Sequence, residues 1–411
     1  MSTHSGPLVL IEPYVHRGGG HHQRTLIALA AACPGALVIT PEGIADGLGP
    51  LQRAGARITT GPVGPTAKTL LAGARAAARV SAVGQRLFAS RSRPVSLRRL
   101  PHQITLIARC LTEAACLRTA RRLAPQPGAV VILSASEALH DAAALLGGGR
   151  HLRFIHELVT TEDRPLRLLG RLAGRGEKRV VALYPTTAVR DRLRRSFPHL
   201  PGRVRAFAVD DGRRLTEAES EGARSAFTIP AGATAVCLIG GWWPYKDITT
   251  VDAALARVSE PLHVLVCGTP LDDTVLERWQ CLPLVRVHIV PGPVGEDVLR
   301  LVYAAADAAL VARCPGTGKE SGLVMDAARL GVPLVVSDHD PDLTERLAGQ
   351  PWARLFTAGD PDALAKALDR LPAALPARPG PQAPAAVGML PASEQAVYLT
   401  DIYTDLVKEY R

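Results

Sequence analysis

The sequence predicts an α/β fold of two domains, each built around its own parallel sheet. The chain has 411 residues, which is more than one ordinary hydrophobic core accommodates. Short apolar runs that end in turn residues alternate with helical patterns along the chain, as in repeated βα units. The runs are continuous rather than alternating, which is typical of strands buried on both faces. A composition of 47% hydrophobic and 21% charged residues is that of a globular protein.

Each half of the chain carries about six apolar runs that are candidate strands, enough for an open sheet. The candidates of the first half are residues 7–13, 35–41, 56–63, 128–136, 152–157 and 179–187. Those of the second half are residues 234–241, 262–268, 285–292, 308–314, 333–338 and 353–359. We expect an N-terminal domain over residues 1–208, a C-terminal domain over 209–388 and a terminal helix over 389–411, with a polar hinge near the first boundary.

A segment rich in alanine, leucine and arginine, residues 65–125, interrupts this rhythm, and we predict a helical insertion on the first domain. Its closely spaced arginines are Arg75, Arg79, Arg86, Arg91, Arg93, Arg98 and Arg99. Two interpretations stay open: a solvated helical face, or a surface that docks on anionic lipid or shapes an acceptor groove. The net charge of +10 suits a nucleotide diphosphate, a phospholipid or nucleic acid without choosing among them.

The cysteines and the N-terminus point to a cytoplasmic protein that is membrane-associated at most. The seven cysteines are scattered without paired spacing, which argues against a disulfide framework. The first residues lack the pattern of a signal peptide. No apolar segment approaches the ~20 residues that a membrane-spanning helix requires.

The strongest indication of function is residues 317–340, where a strand ending at Cys314 is followed by a glycine-containing loop and a helix. A helix N-terminus presents backbone amides and a partial positive charge, which suit a diphosphate. The amides expected there are those of Ser321, Gly322 and Leu323. Glu320 and Asp326 supply carboxylates for the hydroxyls of ribose or a sugar ring. An ordinary βαβ turn is the alternative interpretation.

This segment resembles the donor-binding signature of glycosyltransferase family 4, the glycosyl transferases group 1. In that signature a loop Glu, a Gly-Leu turn and a helix Glu-Ala pair precede the strand motif G-x-P-V-V-x-S-D. Asp326 occupies the helix Glu position here, and Ser337 and Asp338 close the strand motif. The loop Glu position, eight residues before Asp326, is Gly318, and Glu320 lies two residues later. The chain is therefore similar to a divergent member of the family.

A second segment, residues 237–255, places Lys246 after a glycine turn at the first strand of the second sheet. A lysine there reaches a diphosphate with a mobile ammonium. The segment resembles the family's G-R-x-x-x-x-K-G pattern, whose Arg and Lys neutralise the departing diphosphate. Lys246 matches the lysine, whereas the arginine position is Gly241. Lys319 and Arg313 are candidates for the missing cation.

Two segments of the first domain are expected to contribute to the acceptor side. Residues 12–30 combine a strand end, a triple glycine and a helix start, and the family has a glycine-rich loop here. The predicted loop residues are Gly18, Gly19, Gly20 and His21. Residues 153–163 end a strand in His156 and Glu157, at the sheet edge where open α/β folds build their sites. Phosphatidylinositol mannosyltransferases and similar family members carry a comparable pair, with the His beside the reacting sugar.

The resemblance implies a GT-B architecture, with two Rossmann-like domains facing across a cleft and a C-terminal helix returning to the first. It implies that a sugar is transferred from a nucleotide-sugar donor with retention of configuration. Among nucleotide-sugars, a UDP- or GDP-sugar is the first candidate for the donor. Lys246 and Lys319 would stabilise the leaving diphosphate, so no metal and no other cofactor is expected. The triplet at residues 338–340 spells Asp-x-Asp, the metal motif of the other glycosyltransferase fold. Because it closes the strand motif, we do not predict a metal site there.

Three alternatives stay open. An inverting enzyme of the same fold needs a base on the first domain, with Glu12, His16 and His156 as candidates. A nucleotide-sugar epimerase shares the fold. A non-catalytic module that binds nucleic acid or an anionic membrane explains the charge but makes no use of residues 317–340, and we expect no nucleic-acid partner. The acceptor is a small molecule, a glycan or a lipid, in bacterial secondary metabolism or cell-envelope biosynthesis.

Overall fold

The computed structural model describes residues 6–14, 21–44, 47–88, 95–135, 140–156, 178–195 and 197–409. The chain divides into two compact units. The first comprises Met1–Val209 and Ala392–Arg411, and the second comprises Asp210–Pro391. Each unit contains its own sheet of parallel strands. The predicted α/β architecture with two parallel sheets is confirmed.

The sheet of the first unit has the strand order β3-β2-β1-β4-β5-β6-β7. Its strands are β1 (Leu8–Ile11), β2 (Leu37–Ile39), β3 (Arg57–Thr59), β4 (Ala129–Ile132), β5 (His151–Phe154), β6 (Val180–Tyr184) and β7 (Gly202–Val204). In the register of the central strands, Ile11 pairs with Ile39 on one side and with Ile132 on the other. All residues of β1 and β4 are buried, as their continuous apolar sequences predict.

Helices cover this sheet and extend beyond it. They are α1 (His21–Ala32), α2 (Gly49–Arg53), α3 (Pro65–Phe88), α4 (Val95–Leu123), α5 (His140–Gly147) and α6 (Thr187–Arg194). The arginine-rich segment forms the antiparallel pair α3 and α4. The Ser81 hydroxyl of α3 donates to the Pro101 carbonyl of α4 at 2.7 Å. None of the helices that the structure describes combines the length and apolar composition needed to cross a membrane.

The second unit has a sheet with the order β11-β10-β9-β12-β13-β14. Its elements in chain order are β8 (Val209–Asp210), α7 (Glu217–Ala226), β9 (Ala235–Ile239), α8 (Ile248–Leu255), β10 (Leu262–Gly268), α9 (Asp273–Gln280), β11 (Val285–Pro291), α10 (Glu296–Ala305), β12 (Ala308–Val311), α11 (Gly322–Leu330), β13 (Leu334–Ser337), α12 (Pro341–Leu347), β14 (Ala353–Phe356), α13 (Pro361–Asp369), α14 (Ala383–Ala386) and β15 (Leu390–Pro391). The short strands β8 and β15 pair with each other.

The C-terminal helix α15 (Ala392–Glu409) packs within the first unit. Its buried residues Leu399, Ile402 and Leu406 join the core formed by β1 and β4. The Arg205 guanidinium donates to the Gln395 side chain of α15 at 2.7 Å. The helix therefore returns to the first sheet, as the predicted fold requires.

A fully buried ion pair ties α4 to β5. Arg153 Nη2 lies 2.6 Å from Glu113 Oε2, and both side chains are 0% exposed. Removing one partner of such a pair leaves the other charge uncompensated. We expect Arg153→Met to lower the free energy of unfolding by about 3–5 kcal/mol, and the double variant Glu113→Leu/Arg153→Met to recover most of this loss.

Urea unfolding of the full chain measures both effects. Arg257→Met is the matched control, because Arg257 and Asp362 form an exposed ion pair at 2.8 Å, and exposed pairs contribute about 0–1 kcal/mol. An unfolding free energy for Arg153→Met equal to that of the Arg257 control would contradict the assigned role of the buried pair.

Candidate active site

The predicted diphosphate-binding residues lie at the carboxyl ends of β9 and β12. These neighbouring strands lead to opposite halves of the sheet, since β10 and β11 lie beyond β9, whereas β13 and β14 lie beyond β12. Such a switch in strand order opens a crevice in which α/β proteins bind ligands. Lys246 follows β9 and Arg313 follows β12, and an isolated antiparallel bridge joins the two residues.

The ammonium group of Lys246 is enclosed by backbone oxygens. Its Nζ donates to the carbonyl of Ile239, and to that of Gly240 at 3.0 Å. Burial, reinforced by the charge of Arg313, lowers the pKa of Lys246 to about 7. An anion bound beside this group would favour its protonated form.

The guanidinium of Arg313 holds the loop that precedes α11. Arg313 is only 5% exposed. Its Nη1 donates to the Lys319 carbonyl at 2.6 Å, and its Nη2 donates to the Glu320 carbonyl at 3.4 Å. Its backbone N–H donates to Ser337 Oγ at 3.0 Å. One buried arginine thus connects β12, the loop and the end of β13.

A third cation, Lys319, completes the group. Lys319 Nζ lies 4.9 Å from the ring centroid of Tyr245, and Arg313 Cζ lies 5.4 Å from the same centroid. Burial lowers the pKa of Lys319 to about 8. Lys246, Arg313, Lys319 and Tyr245 are called the cation cluster below. Sequence reasoning proposed its three cations but missed the tyrosine, whose position directly before Lys246 was the available signal.

The helix start lies where the sequence predicts it. Ser321 is the N-cap residue of α11, and its Oγ accepts a hydrogen bond from the Val324 amide at 3.4 Å. Gly322 and Leu323 follow in the first turn, whose amides have no acceptor within the helix itself. Glu320 precedes the cap and is 8% exposed. The loop carbonyls bonded by Arg313 therefore belong to the residues immediately before this helix start.

The carboxylate predicted to bind ribose takes part in a charge network. Asp326 Oδ1 lies 3.3 Å from Arg329 Nε. Arg329 also contacts Asp211 at 3.2 Å and Glu296 at 3.0 Å. The network joins α11 to the start of α10 and to the residue after β8. The ribose role of Asp326 stays a prediction.

The geometry of Gly241 explains why no arginine stands at this position. A Cβ atom on Gly241 would lie 2.1 Å from the Thr269 carbonyl oxygen, so any larger residue requires the backbone to shift. Arg313, which follows the neighbouring strand β12 and is bridged to Lys246, is a cation next to this turn. Its role toward a diphosphate stays a prediction. Gly241 thus allows the turn after β9 to approach the backbone at Thr269 closely.

Four polar side chains of the first unit meet at the carboxyl ends of β1, β4 and β5. The Ser134 hydroxyl donates to Glu12 Oε2 at 2.7 Å and lies 2.8 Å from His22 Nδ1. The rings of His22 and His156 are 4.5 Å apart, and His156 Nε2 lies 2.8 Å from the Leu133 carbonyl oxygen. Burial raises the pKa of Glu12 to about 7. We call these four residues the Glu12 cluster.

The structure describes only some of the remaining predicted residues of the first domain. Gly18, Gly19, Gly20 and Glu157 lie outside the described residues, as does His16. His21 is the first residue of α1. Sequence reasoning missed Ser134 and its contacts with Glu12 and His22. The available signal was a polar residue just beyond a buried strand.

The Asp-x-Asp triplet has structural partners. Asp340 caps α12 by accepting from the Leu343 amide at 3.1 Å. Asp338 accepts from the Ala358 amide at 2.7 Å. His339 is buried, with Nδ1 2.9 Å from Ser337 Oγ. Over the described ranges, no group of three or more His, Cys, Asp or Glu side chains is arranged to hold a metal ion.

Comparison with known proteins finds a family match within the second unit. Residues 233–373, about a third of the chain, match the family described as glycosyl transferases group 1. No curated protein matches the chain. The predicted enzyme class, a glycosyltransferase, is confirmed.

Solved structures support the predicted GT-B fold over nearly the whole chain. Anabaena HepE in complex with UDP and glucose is 13% identical, covers 98% of this chain and 100% of its own, and has a TM-score of 0.61. Sucrose-phosphate synthase from Thermosynechococcus elongatus is 16% identical with the same coverage and a TM-score of 0.62. An α,α-trehalose-phosphate synthase (UDP-forming) from Burkholderia xenovorans, in complex with glucose-6-phosphate, is 12% identical, with coverages of 98% and 100% and a TM-score of 0.57. At these identities the likeness shows the fold.

The close approach at Gly241 gives a stability prediction for the second unit. We expect Gly241→Ala to destabilise the protein by about 1–3 kcal/mol, because the added Cβ collides with backbone rather than with a movable side chain. Gly222→Ala in α7 is the matched control: its Cβ meets no heavy atom within 4 Å, and alanine favours the helix by up to about 1 kcal/mol.

Urea unfolding of both variants and the wild type checks the prediction. Equal unfolding midpoints for Gly241→Ala and the wild type would show that the two loops separate without cost.

Proposed function

We propose that this glycosyltransferase moves a sugar from a UDP- or GDP-sugar to an acceptor hydroxyl, with retention of configuration and without a metal ion. The observation that carries the proposal is the cation cluster beside the start of α11. Lys246, Arg313 and Lys319 are held by backbone carbonyls and by the ring of Tyr245. Buried cations arranged in this way suit a diphosphate. The UDP and UDP-glucose complexes of Anabaena HepE favour a UDP-sugar over a GDP-sugar as the donor.

The chemistry follows from where charge develops. When the bond between the sugar C1 and the phosphate oxygen breaks, the departing nucleoside diphosphate gains negative charge. Interactions that strengthen at that moment accelerate the reaction, and Lys246 and Arg313 are preorganised to make them. The acceptor oxygen bonds to C1 on the same face, and its proton passes to the departing phosphate oxygen. This route needs no separate base.

A second candidate outcome is inversion, and one observation favours it. Inversion requires a group that removes the acceptor proton from the opposite face of the sugar. Glu12 lies at the carboxyl end of β1, and its pKa is raised to about 7 by burial. A carboxyl group in that range is suited to general base catalysis near neutral pH. The first-formed anomer distinguishes the two outcomes.

The cysteine usage of the chain bears on the compartment in which the enzyme acts. The seven cysteines are scattered along the chain without paired spacing, which argues against a disulfide framework and is usual for proteins of a reducing compartment. We therefore place the enzyme in the cytoplasm, where it would act in bacterial secondary metabolism or cell-envelope biosynthesis. Its acceptor is a small molecule, a glycan or a lipid.

The lowered pKa of Lys246 gives a prediction for donor binding. The free lysine loses its proton as the pH rises through about 7, whereas a bound diphosphate raises this pKa. Affinity for UDP-glucose, whose diphosphate does not titrate in this range, should therefore be full below pH 7. It should fall roughly tenfold between pH 6 and pH 8.

Isothermal titration calorimetry at both pH values measures this fall, together with proton uptake at pH 8. Lys246→Met should bind weakly at both pH values and keep only the smaller dependence, about twofold, that Lys319 contributes through its pKa of about 8. A wild-type affinity that is equal at pH 6 and pH 8 would refute the contact between Lys246 and the diphosphate.

The donor site itself is tested by removing its cations. We expect Lys246→Met and Arg313→Met each to weaken donor binding by at least roughly tenfold. Lys366→Met, on an exposed position of α13, should bind as the wild type does. A thermal-shift panel of UDP-, GDP- and dTDP-sugars selects the donor, because ligands of the native state raise the melting temperature. Full affinity in both cation variants would reject the site.

The stereochemical and metal assignments have their own readouts. Slow donor hydrolysis followed by NMR should give the α-anomer first from an α-linked donor, and EDTA should leave the rate unchanged. The β-anomer appearing first would transfer the assignment to the inverting candidate.

A further inference from the structure

The solvent side of α3 carries two parallel stripes of different chemistry. The exposed apolar stripe consists of Ala76, Val80, Val83 and Leu87. Their spacing of four, three and four residues keeps them on one line along the helix. Val80, Val83 and Leu87 are 58%, 55% and 63% exposed, which is high for large apolar side chains.

The second stripe is basic and lies beside the first. It consists of Lys68, Arg75, Arg79 and Arg86, all exposed. Their spacings of seven, four and seven residues define a line rotated by about a quarter-turn from the apolar stripe. Among the described residues, only Arg75 has an acidic partner in this stripe, Glu42 at 3.2 Å. The other three side chains present positive charge to the solvent.

The opposite side of α3 is already occupied. Leu71 and Ala74 are buried against Ala115 of α4. The Ser81 hydroxyl bonds to α4 at the Pro101 carbonyl and lies 2.6 Å from Thr105 Oγ1. The two stripes are therefore additional to the face that α3 needs for folding. Within the part of the chain that the structure describes, the packing of α3 against α4 uses neither stripe, and Arg75 alone forms an ion pair elsewhere, with Glu42.

Acidic residues are almost absent from this helical pair. The sequence of α3 has none, and that of α4 has only Glu113. Glu113 is fully buried with Arg153 and gives no charge to the surface. The surface of α3 therefore attracts anions and takes apolar groups at the same time.

We propose that the apolar and basic stripes of α3 dock the protein on an anionic lipid surface. The apolar side chains would enter the boundary between headgroups and acyl chains, while the basic side chains contact lipid phosphates. A helix lying in the membrane plane has this division between an apolar and a cationic side. The inference goes beyond the proposed transfer reaction and does not depend on it.

Charge selects a lipid surface over the other occupants. A second copy of this chain would bring one basic stripe against another, which is repulsive. A nucleic acid would pair with the arginines but would leave Val80, Val83 and Leu87 in water. Only an anionic lipid surface satisfies both stripes of the same helix.

Co-sedimentation of the full chain with vesicles tests the proposal. We expect the wild type to sediment with vesicles of phosphatidylcholine mixed with phosphatidylglycerol, and to stay in solution with phosphatidylcholine alone. The variant Val80→Ser/Val83→Ser/Leu87→Ser should reduce binding to the mixed vesicles by roughly tenfold. Arg79→Gln/Arg86→Gln should reduce it by a similar factor and weaken its dependence on salt.

Matched controls change the same chemistry elsewhere on the chain. Leu375→Ser/Val397→Ser removes two exposed apolar side chains that are 52% and 62% exposed. Arg378→Gln/Lys408→Gln removes two exposed cations. Both variants should bind vesicles as the wild type does. The thermal unfolding midpoint of every variant verifies that it is folded.

Several outcomes overturn the proposal. If the wild-type protein does not sediment with the mixed vesicles, lipid docking is excluded. Full vesicle binding by the serine variant, with loss in the glutamine variant, indicates a polyanion site instead. A wild-type dimer in light scattering without lipid, absent in the serine variant, assigns the stripe to a second copy.

Discussion

The buried guanidinium of Arg313 is the constraint on which the donor side depends. A charge taken out of water must be hydrogen-bonded, and two nitrogens of the Arg313 guanidinium donate to the carbonyls of Lys319 and Glu320, whereas its Nε has no hydrogen-bond partner among the described residues. Those bonds fix the loop immediately before the Ser321 cap of α11. The backbone bridge between Arg313 and Lys246 joins the segment after β12 to the turn after β9. The fold therefore gathers three cations at the start of α11 while it hydrogen-bonds one buried arginine.

Both units place polar chemistry at the same topological point, with opposite character. In the second unit, lysines and an arginine follow β9 and β12. In the first, Glu12 follows β1 and Ser134 follows β4, again at the strands where the order of the sheet reverses. A crevice of cations suits phosphates, whereas a buried carboxyl with a pKa of about 7 suits proton transfer. Both sheets thus reverse their strand order at one point, and the side chains at that point determine what each sheet can bind.

The sequence was most informative where the signal was local. Continuous apolar runs predicted the parallel strands, and the glycine-containing loop after Cys314 predicted a helix start at Ser321, where the structure shows the cap. The contact of Ser134 with Glu12 spans 122 positions, so no pattern along the chain announced it. Gly241 is the clearest limit. Resemblance presented it as a missing arginine, whereas the structure shows that a Cβ atom added there would lie 2.1 Å from the Thr269 carbonyl oxygen, so that a side chain requires the backbone to shift.

The two lysines of the cation cluster are costly to keep protonated in the free protein. Burial lowers the pKa of Lys246 to about 7 and that of Lys319 to about 8, so holding both charged is unfavourable in the free protein. A diphosphate reverses this cost, and the reversal is larger for the departing dianion than for the bound sugar ester. In the reaction that we propose, the cluster would therefore stabilise the separated leaving group more than the intact donor, which is the condition for catalysis. Groups that recognise the sugar and the acceptor would then lie outside the cluster.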